Sequence, residues 1–221
     1  VQARGAEIGR WLDGNRSEVR GLANLNVIRE GDFEQTAEYL QGRHATKNPD
    51  HLQLYFADLN GDFITSDGAR GNISHREYFD EIIRKGKAEV LTNTLSSAAG
   101  GDAIIAVVHE VRDFEGRLLG LMGATITLEM LSEVIEGMRF GKEGIGMIVD
   151  GTGLVAAHQD SELRMQLNLL EARDYPGLQG VGEQTVAGKA GIEEYRTPDG
   201  RKMHAIFAPV PNSPNWSVVY L

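Results

Sequence analysis

The sequence of 221 residues contains no cysteine. That absence excludes disulfide bridges, thiolate nucleophiles and sulfur-ligated zinc together. It does not bar an oxidising compartment, because a chain of this length can fold on core burial alone. No apolar run approaches the roughly 20 residues that span a bilayer. The longest, residues 118–128, is interrupted by Gly120, Gly123, Thr125 and Thr127 and suits a buried strand. Positive charge is scarce: Lys and Arg number 22 against 32 Asp and Glu, a formal charge of −10. Such a surface repels phosphate backbones, so no nucleic-acid partner is expected. The chain opens on Val1 rather than Met, shows no signal-peptide pattern, and stops at Tyr220-Leu221 straight after a strand-like run. We therefore expect a piece of a longer protein.

Catalytic signatures are also missing. There is no Gly-x-Ser-x-Gly elbow and no His-Glu-x-x-His helix. The run Gly137-Met138-Arg139-Phe140-Gly141-Lys142-Glu143 imitates part of a phosphate loop but lacks the glycine spacing and the hydroxyl residue after lysine. Gly144-Ile145-Gly146 begins like a dinucleotide fingerprint, but Val149 stands where its third glycine belongs. Of the histidines, His75, His109 and His158 have no partner at metal-ligand spacing. His109 shares a strand face with Ile105 and Val107 and is kept as a candidate ligand residue. A metal-dependent hydrolase would have to use Asp58, Asp62 or Asp67, which sit in turns where aspartate serves turn chemistry. We expect neither an enzyme, a metal nor a cofactor.

What is present is a folded chain, 41% hydrophobic and 24% charged. Residues 1–30 read as helix, with Ile8, Leu12, Val19 and Leu22 on one face and Trp11 and Leu25 at its margins. Asp32 is placed to cap a second helix that buries Phe33, Ala37 and Leu40. Beyond Asn48-Pro49-Asp50 the period changes. Residues 52–57 and 62–66 read as strands around Asp58-Leu59-Asn60-Gly61, a hairpin signal because glycine accepts positive φ. A helix over about 76–85 and strands at 104–111 and 118–127 follow. The plan then recurs: a strand at 146–149, the turn Asp150-Gly151-Thr152-Gly153, a strand at 154–157, a helical stretch at 162–172, and strands at 192–196, 202–209 and 216–221. A helix over 128–139, with Leu128, Leu131, Val134, Ile135 and Met138 at helical spacing, joins the copies. The fold class is α+β: a long N-terminal helix followed by two tandem PAS-like modules with antiparallel sheets.

Several segments, in order, carry a family resemblance: Tyr55-Phe56-Ala57-Asp58 through Gly61; Asn72-Ile73-Ser74-His75-Arg76-Glu77-Tyr78-Phe79; Val111-Arg112-Asp113 with Gly116; the run from Leu119 to Glu129; Gly141 to Gly153 with Ala156-Ala157-His158; and Asn215-Trp216-Ser217-Val218-Val219. Together they cover nearly the whole chain. It resembles a double Cache domain, the sensor module of bacterial chemoreceptors, histidine kinases and cyclic-dinucleotide enzymes. The resemblance implies a helical stalk over 1–50, a membrane-distal module with a ligand pocket over 51–128, a linker helix over 129–140 and a membrane-proximal module over 141–221. It also implies an extracytoplasmic location, transmembrane helices on either side, and a homodimer through the N-terminal helix.

In relatives that bind carboxylates the arginine matching Arg76 grips the ligand, and a planar guanidinium with paired N–H donors suits two carboxylate oxygens. Tyr78 would wall the pocket. The amino-acid-binding branch has a tyrosine where Gly71 stands, Trp-Tyr where Tyr78-Phe79 stand, alanine at Ile82, a later tyrosine at Thr94, and acids at Ser96 and Thr125 that hold the ammonium. A buried ammonium without a carboxylate is strongly disfavoured. The expected ligand is therefore a small organic acid without an amine, held by Arg76, Tyr78, Thr94, Ser96, Thr125 and His109. The alternatives are an amino acid, a quaternary amine caged by Tyr55, Phe56, Tyr78 and Phe79, or a partner protein in place of any small ligand. Arg164, His158 and Tyr195 mark a second place to look, in the later module.

Overall fold

The computed structural model describes residues 1–99, 103–136, 146–158, 160 and 162–221. These form two compact units, one of residues 14–127 and one of residues 1–13 with 128–221. The first helix, α1 (Gln2–Ala23), thus contributes to both. Ile8, Leu12, Val19 and Leu22 are all buried within the chain.

In the 14–127 unit, α1 gives way to α2 (Asn26–Arg29) and α3 (Phe33–Arg43). The single helix expected over 1–30 is therefore two, separated by residues 24–25. Asp32 caps α3 as its sequence predicts, its carboxylate accepting the Gln35 backbone N–H at 2.9 Å. The strands are β1 (Gln53–Asp58), β2 (Asp62–Thr65), β3 (Arg70–Asn72), β4 (Glu89–Leu91), β5 (Leu95–Ser96), β6 (Ala103–Arg112) and β7 (Leu118–Thr127), with α4 (Glu77–Ile83) between β3 and β4. They build one antiparallel sheet in the order β3-β2-β1-β7-β6-β4, with β5 also on β6.

The other unit holds α5 (Leu128–Glu136), β8 (Gly146–Val149), β9 (Val155–His158), α6 (Leu178–Val186), β10 (Gly191–Arg196), β11 (Lys202–Pro209) and β12 (Ser217–Tyr220). Its sheet runs β10-β11-β12-β8-β9. Both sheets therefore put the first strand of the opening hairpin beside the last strand of the unit, the PAS-like arrangement. The helix expected over 162–172 is instead a series of turns and one 3-10 turn at Leu169–Glu171, and the true helix, α6, comes later. The expected linker helix is α5, where Leu128, Leu131 and Ile135 are buried. Met138, Arg139, the side chain of Val134 and the glycine-bearing run 137–145 lie outside the described residues.

One turn recurs. The Asp58 carboxylate accepts from the backbone N–H groups of Asn60 and Asp62. Asp150 does the same for Thr152 and Leu154, and Asp113 for Glu115 and Arg117. Each is closed by a glycine in the left-handed region, with φ of 87° at Gly61, 86° at Gly153 and 83° at Gly116. Aspartate supplies the acceptor that two-residue-on amides need, and glycine supplies the positive φ.

Candidate functional site

The sheet of the 14–127 unit has two faces of different character. Strand alternation sends Leu54, Phe56, Met122 and Ile126 to one side, where α2 and α3 lie. It sends Gln53, Tyr55, Phe63, Thr65 and Thr125 to the other. There α4 lays Tyr78, Phe79 and Ile82 over the sheet, and a cavity remains between them. About 20 Å³ of it is open to the centre of a water molecule. Its polar lining is Gln53, Thr65, Ser97 and Thr125 with the phenols of Tyr55 and Tyr78. Its apolar lining includes Phe63, Ile73, Leu95 and Ile104. Among the described residues, no acidic side chain lines it.

The register explains how these groups meet. Gln53 lies directly opposite Thr125, and Tyr55 lies between Thr65 on β2 and Gly123 on β7. Gly123 is what lets the Tyr55 ring lie down on the sheet: a Cβ there would sit 2.3 Å from Tyr55 Cζ. Phe63 covers Gly71 in the same way, 2.8 Å from where a Cβ would stand. The aromatic side chain at this end of the cavity thus comes from β2, not from position 71.

Two buried polar atoms in the cavity have unmade bonds. Thr125 is 6% exposed and Tyr55 is 4% exposed, and neither hydroxyl has a hydrogen-bond partner of normal geometry. Burial, and then the neighbouring Tyr78, push the Tyr55 phenol well above its ordinary value. Burial raises Tyr78 too, against the opposing pull of Tyr55 and of the Arg76 charge. Both therefore keep their protons at neutral pH and can donate. The two phenols lie close enough to act on one another, but the Tyr55 hydroxyl makes no hydrogen bond of normal geometry.

Arg76 occupies the position before α4. Its Nη2 donates to the Ser96 carbonyl oxygen at 2.9 Å, while its Nε is buried and unpartnered. Its charge acts on both cavity phenols. Tyr78 and Thr125 line the cavity. Ser96 contributes its carbonyl oxygen to Arg76; its side chain is exposed, and Ser97 lines the cavity instead. Thr94 is half-buried between β4 and β5, outside the lining. His109 is placed elsewhere. It pairs with Glu89 and Met122 on the sheet face away from the cavity, and its Nδ1 lies 2.7 Å from the Glu110 carbonyl oxygen. Its alternation with Ile105 and Val107 holds, but that face belongs to the helices. The aromatic cage is not assembled either: Phe56 packs edge-on against Phe33, centroids 5.9 Å apart, on the side opposite Tyr55 and Tyr78.

Sequence reasoning did not reach Gln53, Thr65 or Ser97. The first two could have been found by extending alternation from Tyr55 across the hairpin register. Asp67 was noted only as a turn residue, yet it accepts hydrogen bonds from the side chains of both Gln53 and Thr65. Burial alone would raise its carboxyl, but those bonds outweigh burial and hold it below the usual carboxylate range. Among the described residues, no three His, Asp or Glu side chains are grouped to hold a metal. In the other unit, His158 is buried with its Nδ1 accepting the Asp160 N–H at 2.8 Å. Arg164 reaches Glu129 at 3.5 Å, and Tyr195 is part of the core.

A family model, dCache_1, described as a Cache domain, matches residues 1–221. The methyl-accepting chemotaxis protein McpA of Pseudomonas putida is 26% identical over 97% of this chain, which spans 32% of McpA's length. The ligand-binding domain of the Pseudomonas fluorescens chemoreceptor CtaA, solved with L-serine, superposes with a TM-score of 0.76 at 21% identity, covering 99% of this chain and 91% of that one. The ligand-binding domain of the Pseudomonas aeruginosa PAO1 amino acid chemoreceptor PctC, solved with GABA, gives 0.71 at 22% identity, with 99% and 94% covered.

Proposed function

We propose, from the premise that the chain belongs to the Cache-domain family of extracytoplasmic sensors, that its 14–127 unit recognises a small carboxylate carrying no amine, through Arg76. The observation that carries this reading is the unpartnered, buried Nε of Arg76. Arg76 is outside the cavity lining, but its charge acts on the Tyr55 and Tyr78 phenols that line it, and the Tyr55 and Thr125 hydroxyls there also lack partners of normal geometry. A guanidinium with a spare donor favours an anion. A described lining without a carboxylate disfavours an ammonium. Tyr78 and Thr125 donate to or accept from the remainder of the ligand. The unit corresponds to the membrane-distal module, and the receptor's output lies outside this chain.

A second reading takes an amino acid as ligand. It is favoured by the CtaA and PctC complexes, whose ligands, L-serine and GABA, carry both an amine and a carboxylate. Both readings share the carboxylate and differ over the ammonium.

A thermal-shift screen of short acids, amino acids and methylated amines on the chain and on Arg76→Ala separates them. A ligand at one hundred times its dissociation constant adds about 2.7 kcal/mol. We expect a shift with a simple acid that is absent in the variant. A shift with an amino acid alone favours the second reading, and a response that survives in Arg76→Ala overturns the assignment of that residue.

A further inference from the structure

We propose that Asp67 sets the selectivity of the cavity by fixing the orientation of Gln53, so that the bound acid is one carrying a hydroxyl group. The inference rests on the carboxylate reading above and assigns the other end of the same site.

Gln53 is 8% exposed and lines the cavity from the centre of the sheet. A glutamine amide can be turned either way, with opposite consequences for a ligand. Here the choice is made from outside. Gln53 Nε2 donates to Asp67 Oδ2 at 2.7 Å. An ionised carboxylate only accepts, so it must receive the NH₂ end and leave Oε1 for the cavity. Asp67 accepts a hydrogen bond from the Thr65 hydroxyl as well. Thr65 therefore also shows the cavity an oxygen whose hydrogen is already used.

The cavity is thus polarised. One end presents acceptors, Gln53 Oε1 and Thr65 Oγ1. The lining also holds the Tyr55 and Tyr78 hydroxyls, on which the charge of Arg76, itself outside the lining, acts. Thr125, opposite Gln53 on the neighbouring strand, adds a buried hydroxyl with no partner. A ligand that matches has an anionic head and, a few bonds away, a donor. The donor is neutral, because Asp67 stands behind Gln53 at the protein surface, where solvent screens its charge. A 2-hydroxy acid has this pattern. The acid lacking its hydroxyl leaves buried acceptors unpaired, which a site of this kind rejects.

The test is titration calorimetry with 2-hydroxypropanoate, propanoate and alanine on the chain, on Asp67→Asn and on Gln53→Met. We expect the chain to prefer 2-hydroxypropanoate over propanoate by about tenfold or more. In both variants that preference should fall to about twofold, through weaker binding of 2-hydroxypropanoate and no loss of propanoate affinity, since Arg76 is untouched and fewer acceptors are left unpaired by propanoate. A merely structural role would weaken both acids equally, and that result overturns the proposal. So does a preference that survives in both variants. The Gln53 side-chain amide protons supply a ligand-free readout by NMR: slow exchange in the chain and fast exchange in Asp67→Asn are expected, and equal exchange overturns the pairing. If alanine binds and neither acid does, the carboxylate-without-amine reading falls and the neutral-donor assignment falls with it. The amide exchange still decides whether Asp67 orients Gln53.

Discussion

The two sheets share a strand order and differ in what lies under their covering helix. In the later unit, Met147, Val149, Phe207 and Val219 on the sheet meet Leu169, Leu178 and Val181 from above, and the space is filled with hydrocarbon. In the earlier unit, the corresponding face carries Gln53, Thr65 and Thr125 among its aromatics, and the cover stops short of closing it. Leaving a buried polar atom unpaired costs about 1–3 kcal/mol. Filling the cavity with apolar side chains would remove that cost, as the later unit shows. A fold that carries the cost at Tyr55 and Thr125 has it offset only when something binds.

The comparison can be broken at several points. The largest effect belongs to the packed side. Phe207→Ala should cost about 3–5 kcal/mol. Tryptophan fluorescence in a denaturant titration reads it cleanly, because Trp11 and Trp216, the only tryptophans, both belong to that unit. A loss below about 1 kcal/mol would mean that this face is no better packed than the other.

Gly123→Ala comes next. The added methyl meets the Tyr55 ring and should cost about 1–3 kcal/mol, seen as a lower midpoint by circular dichroism, together with loss of the acid-induced thermal shift. Binding that survives would show that Tyr55 does not shape the cavity floor.

Thr125→Val should act in the opposite sense, stabilising the ligand-free protein by about 1 kcal/mol while weakening the ligand. A destabilised variant would mean that the hydroxyl is already satisfied, and the contrast between the two faces would lose one of its supports.

The smallest effect is one the units share. His51 in the earlier unit and His158 in the later are held below the ordinary histidine value of 6.5, in each case chiefly by burial. Around His51, Glu18 and Asp50 oppose the shift and Lys47 adds to it. The unfolded chain therefore takes up these protons first as pH falls below about 6.5, and stability declines from there toward the folded values. His51→Gln, which can keep the bond to Asn15, should flatten the melting temperature between pH 7.5 and 5.5 for the earlier unit. A profile unchanged by that substitution would show that His51 does not titrate in this range.

Much of this was legible in the sequence because it is local. The Asp-x-x-Gly turns, the cap at Asp32 and the long strands β6 and β7 follow from neighbours a few residues apart. The short strands β3, β4 and β5 were not, since each consists of two or three residues that become strand only by pairing. The α6 helix hid behind Pro176-Gly177 and its own Gly180 and Gly182, while residues 162–172 read as a helix where turns form. Tyr78 and Thr125 reach the cavity as expected. His109 went to the wrong face for an instructive reason: alternation tells which residues of a strand share a side, but not which side of the sheet that is. That depends on register with β7, which no local pattern records. The same gap hid Gln53, which looks like an ordinary strand polar residue until Thr125 and Asp67 are placed beside it.

The strands that hold Gln53 and Thr125 are the first and last of their sheet, yet they are neighbours. Their meeting must wait until the intervening chain has been placed, and long-range pairings of this kind are the slow part of folding an antiparallel sheet. A ligand seated across them makes contacts that no half-closed sheet can offer. It should lengthen the lifetime of the folded unit and leave the refolding rate untouched, so that the residence of the small molecule also sets how long the sheet stays closed.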